Sequence, residues 1–178
     1  MRLTKTLAAG AVALSALVTL TGCGGSDEPA EGSGLPKAAT MAEVQKFING
    51  SGAQCNELRP YSETAEMAKE ARDPAWSIKE RAVCQDASGE YIIVLLVDDM
   101  TKFQESTAKA QAKGDGKSFL IGQNFAVDPT ADDTSRTVVQ GGLQVMSCDP
   151  KDREDIPSGF TVSEGLAKGC FTTNYIPA

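Results

Sequence analysis

An α+β fold is predicted: a two-layer sandwich, mainly antiparallel sheet with helices on one face, stapled by disulfides. Three observations predict it. Strand-like runs come in pairs, and helical runs alternate with those pairs. Tyr91–Val97 (Tyr-Ile-Ile-Val-Leu-Leu-Val) is β-branched and apolar on both faces, which places a strand in the middle of a sheet. Cys55, Cys84, Cys148 and Cys170 form an even set, as in an exported, cross-linked domain.

The elements follow in order. Thr40-Met41-Ala42-Glu43 is a capping box, with Thr at the cap and Glu three residues on. Met41, Val44, Phe47 and Ile48 then recur at helical spacing, and Gly50 and Gly52 end the helix before Cys55. A second helix is predicted over 63–72, stopped by Asp73-Pro74. Residues 78–84 alternate loosely and read as a strand, and Asp86-Ala87-Ser88-Gly89 is a turn into the central strand. Asp98-Asp99 caps a helix running to about Lys113, with Phe103 on its inner face. Residues 119–127 form a hairpin around Gly122-Gln123-Asn124. A short helix opens near Pro129-Thr130-Ala131-Asp132, ends at Gly141-Gly142, and leads into a strand over 143–148. The tail adds an edge strand at 171–176. Strands, acidic cap and helix at 78–113 recur in shortened form at 119–140, the pattern of an internal duplication.

The N-terminus reads as a targeting segment. Arg2 and Lys5 form a positive start, residues 7–20 are small and apolar, and small residues lead to Cys23. The apolar run is too short for a span, which needs about 20 residues. Leu20-Thr21-Gly22-Cys23 resembles the bacterial lipobox read by the lipoprotein signal peptidase. The resemblance implies cleavage before Cys23 and a lipid (palmitate among its acyl chains) on that residue. The expected partner is therefore the cell membrane, reached from its extracytoplasmic face through an N-terminal anchor. Two or more acyl chains hold a protein stably where one does not. The expected division is 1–22 signal peptide, 23–36 lipidated terminus and flexible Gly/Ser/Pro linker, and 37–178 a single α+β domain.

Charge excludes one class. Residues 1–22 hold Arg2 and Lys5 and no acid, so the mature side chains carry 15 bases against 24 acids. Nucleic-acid binding wants the opposite sign. Four cysteines allow three pairings; Cys55–Cys84 with Cys148–Cys170 is favoured, each being nearest in sequence. The chain has no histidine and no Cys-x-x-Cys, so a metal–thiolate site and every His-based triad are disfavoured.

Few residues suggest chemistry. Asp98 and Asp99 abut the central strand, where paired carboxylates serve glycoside hydrolysis but a helix cap is the commoner use. Asp149, Asp152, Glu154 and Asp155 crowd one loop, which reads as a solvated acidic loop before a Ca²⁺ site. Trp76 is either a core-edge residue or a partner-binding anchor. No catalytic residue, cofactor or metal ligand is assigned, and the chain is not expected to be an enzyme.

Taken with the lipobox, several features resemble the small secreted lipoproteins of uncharacterised function in actinobacteria. They are the helix ending at Ala53-Gln54-Cys55, Cys84 before the turn at 86–89, and the apolar strand followed by Asp98. The Gly-x-Asn-Phe-Ala-Val strand at 122–127 and Gly141-Gly142 complete them. The resemblance covers roughly residues 38–148 and brings no catalytic residues. Two function classes remain. The first is a tethered, non-catalytic interaction module for a protein or cell-wall partner, favoured by an exposed apolar patch near Trp76. The alternative is a small-ligand or lipid carrier, which asks for an apolar pocket between sheet and helices.

Overall fold

In the computed structural model, residues 34–62 and 66–177 are described. Cys23, the segment before it and residues 24–33 of the expected linker lie outside them. The elements run α1 (Met41–Gly50), β1 (Asn56–Pro60), α2 (Ala68–Arg72), β2 (Ile78–Gln85), β3 (Tyr91–Val97) and α3 (Met100–Gln111). There follow β4 (Phe119–Ile121), β5 (Phe125–Pro129), α4 (Asp132–Gln140), β6 (Gln144–Ser147), α5 (Pro150–Glu154), β7 (Val162–Glu164) and β8 (Phe171–Thr173). A 3-10 turn, Pro74–Trp76, links α2 to β2. The strands form one sheet in the order β1-β2-β3-β5-β4-β6-β8-β7, antiparallel at every pairing.

The α+β class, the antiparallel sheet and both disulfides are as expected; the placing of the helices is not. Alternate residues of a strand point to opposite faces, and β3 buries both sets. Ile92, Val94 and Leu96 pack with Val44 and Ile48 of α1 and Val138 of α4. Ile93, Leu95 and Val97 pack with Met100 and Phe103 of α3 and with Met67 before α2. Helices therefore cover both faces, giving helix, sheet and helix layers where one covered face was expected. The physical reason is β3 itself: a strand apolar on both faces needs cover on both. The expected duplication is also corrected. A two-fold axis relating adjacent antiparallel strands keeps each face on its own side, whereas α3 and α4 lie on opposite faces.

Local signals explain most boundaries. Thr40 Oγ1 accepts from Glu43 N at 3.3 Å, and the Glu43 carboxylate accepts from Ala39 N at 2.6 Å, so the capping box closes one residue early. The helix expected over 63–72 starts only at Ala68 among the described residues, because Met67 is left-handed at φ 60° and cannot continue a helix. Asp99 rather than Asp98 caps α3, accepting from Thr101 N and Lys102 N. β8 is not the edge; β7 lies outside it.

The packed body begins before the expected boundary at residue 37. Leu35 is buried against the α3 face. Its carbonyl accepts from Gln123 Nε2 at 2.7 Å, and the Pro36 carbonyl accepts from Gln123 N at 2.8 Å. Asn124 brackets Ala38 through both its N–H and its C=O. Gly122 permits this approach, since a Cβ there would lie 2.6 Å from the Pro36 oxygen.

The cysteines pair as favoured. Cys55–Cys84 ties the entry of β1 to β2, and Cys148–Cys170 continues the β6–β8 register past Ser147 and Phe171. Beside the first bridge, Asp86 is 6% exposed and organises the β2–β3 turn. It accepts from Ser88 N, Ser88 Oγ and Glu90 N, and from Thr134 Oγ1 of α4 at 2.7 Å. Burial alone would raise its pKa, but these hydrogen bonds outweigh it and hold the carboxyl below 3.8. A depressed folded-state pKa contributes stability above the unfolded value and loses it as pH falls through the folded value. Asp86→Asn is therefore expected to cost about 1–3 kcal/mol in urea unfolding at pH 7. The gap should narrow below the ordinary carboxylate value; a gap equal at pH 7 and pH 3 contradicts the assignment.

Candidate functional site

A cleft of about 710 Å³ opens on the α3 face of the sheet, between α2 with its 3-10 turn on one side and α3 on the other. The apolar floor includes Met67, Trp76 and Phe119. The Trp76 ring meets Phe103 edge-on at 5.7 Å, and Phe103 meets Phe119 at 5.1 Å. Trp76 is a partly buried core-edge residue that also lines the open cleft.

The walls differ in charge. On the α2 side stand Glu70 and Asp73, with Glu66 at the end. On the α3 side stand Lys109 and Lys113, followed by Asp115 and Lys117. Lys109 lies in the last turn of α3, and Lys113 lies in the turn that follows it. Neither lysine forms an ion pair with Glu70 or Asp73. Two contacts fix the ends of the cleft. Ser106 Oγ donates to the Ala75 carbonyl at 2.7 Å. Lys117 Nζ binds Glu66 Oε1 at 2.6 Å and also Asp128 on β5. Burial alone would lower the Lys117 pKa, but its hydrogen bonds and charge contacts with the two carboxylates raise it above 10.5.

The chain matches no protein-family model, no curated protein and no solved structure at a significant level. What the cleft does rests on its own chemistry.

The other sequence candidates fall elsewhere. Asp99 is engaged as the α3 cap, while Asp98 is exposed and donates its backbone N–H to the Ser77 carbonyl. The acidic loop is helix α5: Asp149 caps it, and Asp152 accepts from Ser118 Oγ and Ser147 Oγ. Among the described residues no group of three His, Cys, Asp or Glu is placed to hold a metal ion, and no helix is long and apolar enough to cross a membrane. The exposed apolar patch near Trp76 that would favour the interaction module is not found among the described residues. The exposed large apolar side chains among the described residues are Tyr91, Phe160, Val162 and Leu166, three of them around β7. Sequence reasoning missed Glu70, Lys109 and Lys113. The spacing of the lysines is legible in the sequence, but the wall they face is reached only through the fold.

Proposed function

We propose that the protein is a membrane-tethered extracytoplasmic lipoprotein, a non-catalytic binding module that receives its partner in the Trp76 cleft. The observation that carries the binding role is the cleft itself, where Glu70 and Asp73 stand across an apolar floor from Lys109 and Lys113 with no ion pair between the two sets. Its volume falls in the range of ligand sites, about 300–1,000 Å³. Leu20-Thr21-Gly22-Cys23 supports the tether, and two disulfides suit an oxidising compartment outside the cytoplasm. Holding the module at a surface raises its effective concentration, so a weak contact suffices. The non-catalytic reading is supported by the lack of histidine and by the structural engagement of Asp99 and Asp152. A carrier of lipid or of another wholly apolar ligand comes second, because charged side chains wall the cleft.

The test places a photoreactive benzophenone amino acid at Ala110, inside the cleft, and in a second strain at Lys168, exposed and outside its lining. After irradiation of intact cells, a discrete added mass is expected on the protein labelled at 110 and absent at 168. Release by Cys23→Ser is expected to reduce that adduct. No adduct from 110, or the same adduct from both positions, contradicts the proposal.

A further inference from the structure

We propose that the cleft binds a short peptide with both termini free, its ammonium end against Glu70 and Asp73 and its carboxylate end against Lys109 and Lys113. The inference rests on reading the cleft as the binding site and names the ligand chemistry. Ser106, Lys109 and Ala110 line the cleft from α3, with Lys113 in the turn just after it, and Glu70 lines it from α2, with Glu66 and Met67 before that helix and Asp73 at its C-terminal cap. Glu70 and Asp73 thus stand on one side of the floor and Lys109 and Lys113 on the other, with Asp115 following Lys113. The two sets do not meet, since no ion pair joins Glu70 or Asp73 to Lys109 or Lys113.

The two ends explain how such walls stay apart. The Ser106–Ala75 hydrogen bond fixes α3 against the 3-10 turn. Lys117 holds Glu66 and Asp128 at the far end, which occupies Glu66 and leaves Glu70 and Asp73 as the acids of the α2 side. Asp73 uses Oδ1 to cap the 3-10 turn through Ala75 N, so Glu70 carries the freer charge. A neutral ligand would leave both walls uncompensated, and a singly charged one would leave one wall so. A dipolar ligand complements both, and complementary charge fixes its orientation. Met67, Trp76 and Phe119 give its short apolar body a surface to cover.

Trp76 is the chain's one tryptophan, so its fluorescence reports on the cleft alone. The full chain, in detergent micelles, is titrated with trialanine bearing free termini, with N-acetyl-trialanine and with trialanine amide. Free trialanine is expected to give a saturable change, and each blocked form to bind at least about tenfold more weakly, equivalent to about 1.4 kcal/mol. The variants then cross. K109A/K113A, at surface positions, is expected to lose the preference for a free carboxylate and keep that for a free amine. Glu70→Gln is expected to do the reverse. No saturable change, equal affinity for all three peptides, or failure of the variants to cross overturns the inference. An adduct at Ala110 without peptide binding would overturn the ligand class alone; peptide binding without a cellular adduct would overturn the tethered-module reading instead.

Discussion

Phe103→Ala is expected to destabilise the domain by about 3–5 kcal/mol, the cost of removing a buried aromatic side chain. Phe103 is fully buried, and it joins Trp76 to Phe119 through two edge-on ring contacts. Its loss removes the central ring of that chain and opens a void under the floor of the cleft. A typical domain has about 5–15 kcal/mol of stability, so this one change takes a large share of it. The urea midpoint should fall, and the thermal midpoint with it by roughly 10–20 °C. Because Trp76 rests on the lost ring, its emission should shift toward that of exposed tryptophan before global unfolding. A variant as stable as the parent would show that the rings do not pack as described.

The second large effect is removal of a bridge. Cys55 and Cys84 are 29 residues apart, and closing a loop of that length restricts the unfolded chain by about 3.5 kcal/mol in the entropy model. Both sulfurs lie in the core with Val44, Ile48 and Ile92, so the loss is not confined to the surface. Cys55→Ala/Cys84→Ala is expected to lower stability by about 2–5 kcal/mol and to free β1, an edge strand with a bulge at Glu57. Hydrogen exchange should show β1 losing protection before β3. Equal urea midpoints for the double variant and the parent contradict this role. The strand beside β1 is also tied by the Asp86 turn, so the two devices act on the same end of the sheet.

Much of the fold was legible because its signals are local. Thr40 and Glu43 form their own hydrogen bonds within four residues, and Tyr91–Val97 announces a central strand by composition alone. The same strand also held the evidence for two covered faces, which an alternation of helices and strand pairs concealed. β1 and β7 escaped notice because both are edge strands with mostly exposed side chains and no apolar alternation. α5 was hidden in a charge run, where Asp149 and Pro150 are the cap and first turn of a helix. The cleft was the least legible part. Trp76 stood out as a single residue, but Glu70 and Lys109 are brought to facing walls by packing across the same face of the sheet, which no spacing in the chain records.

The proposed function places the module on a tether, and intact mass spectrometry of the protein from the membranes of an exporting host tests that most directly. The expected species begins at Cys23, carries at least two acyl chains and has both disulfides closed. A chain that still begins at Met1, or that begins at Cys23 without a lipid, would contradict the account.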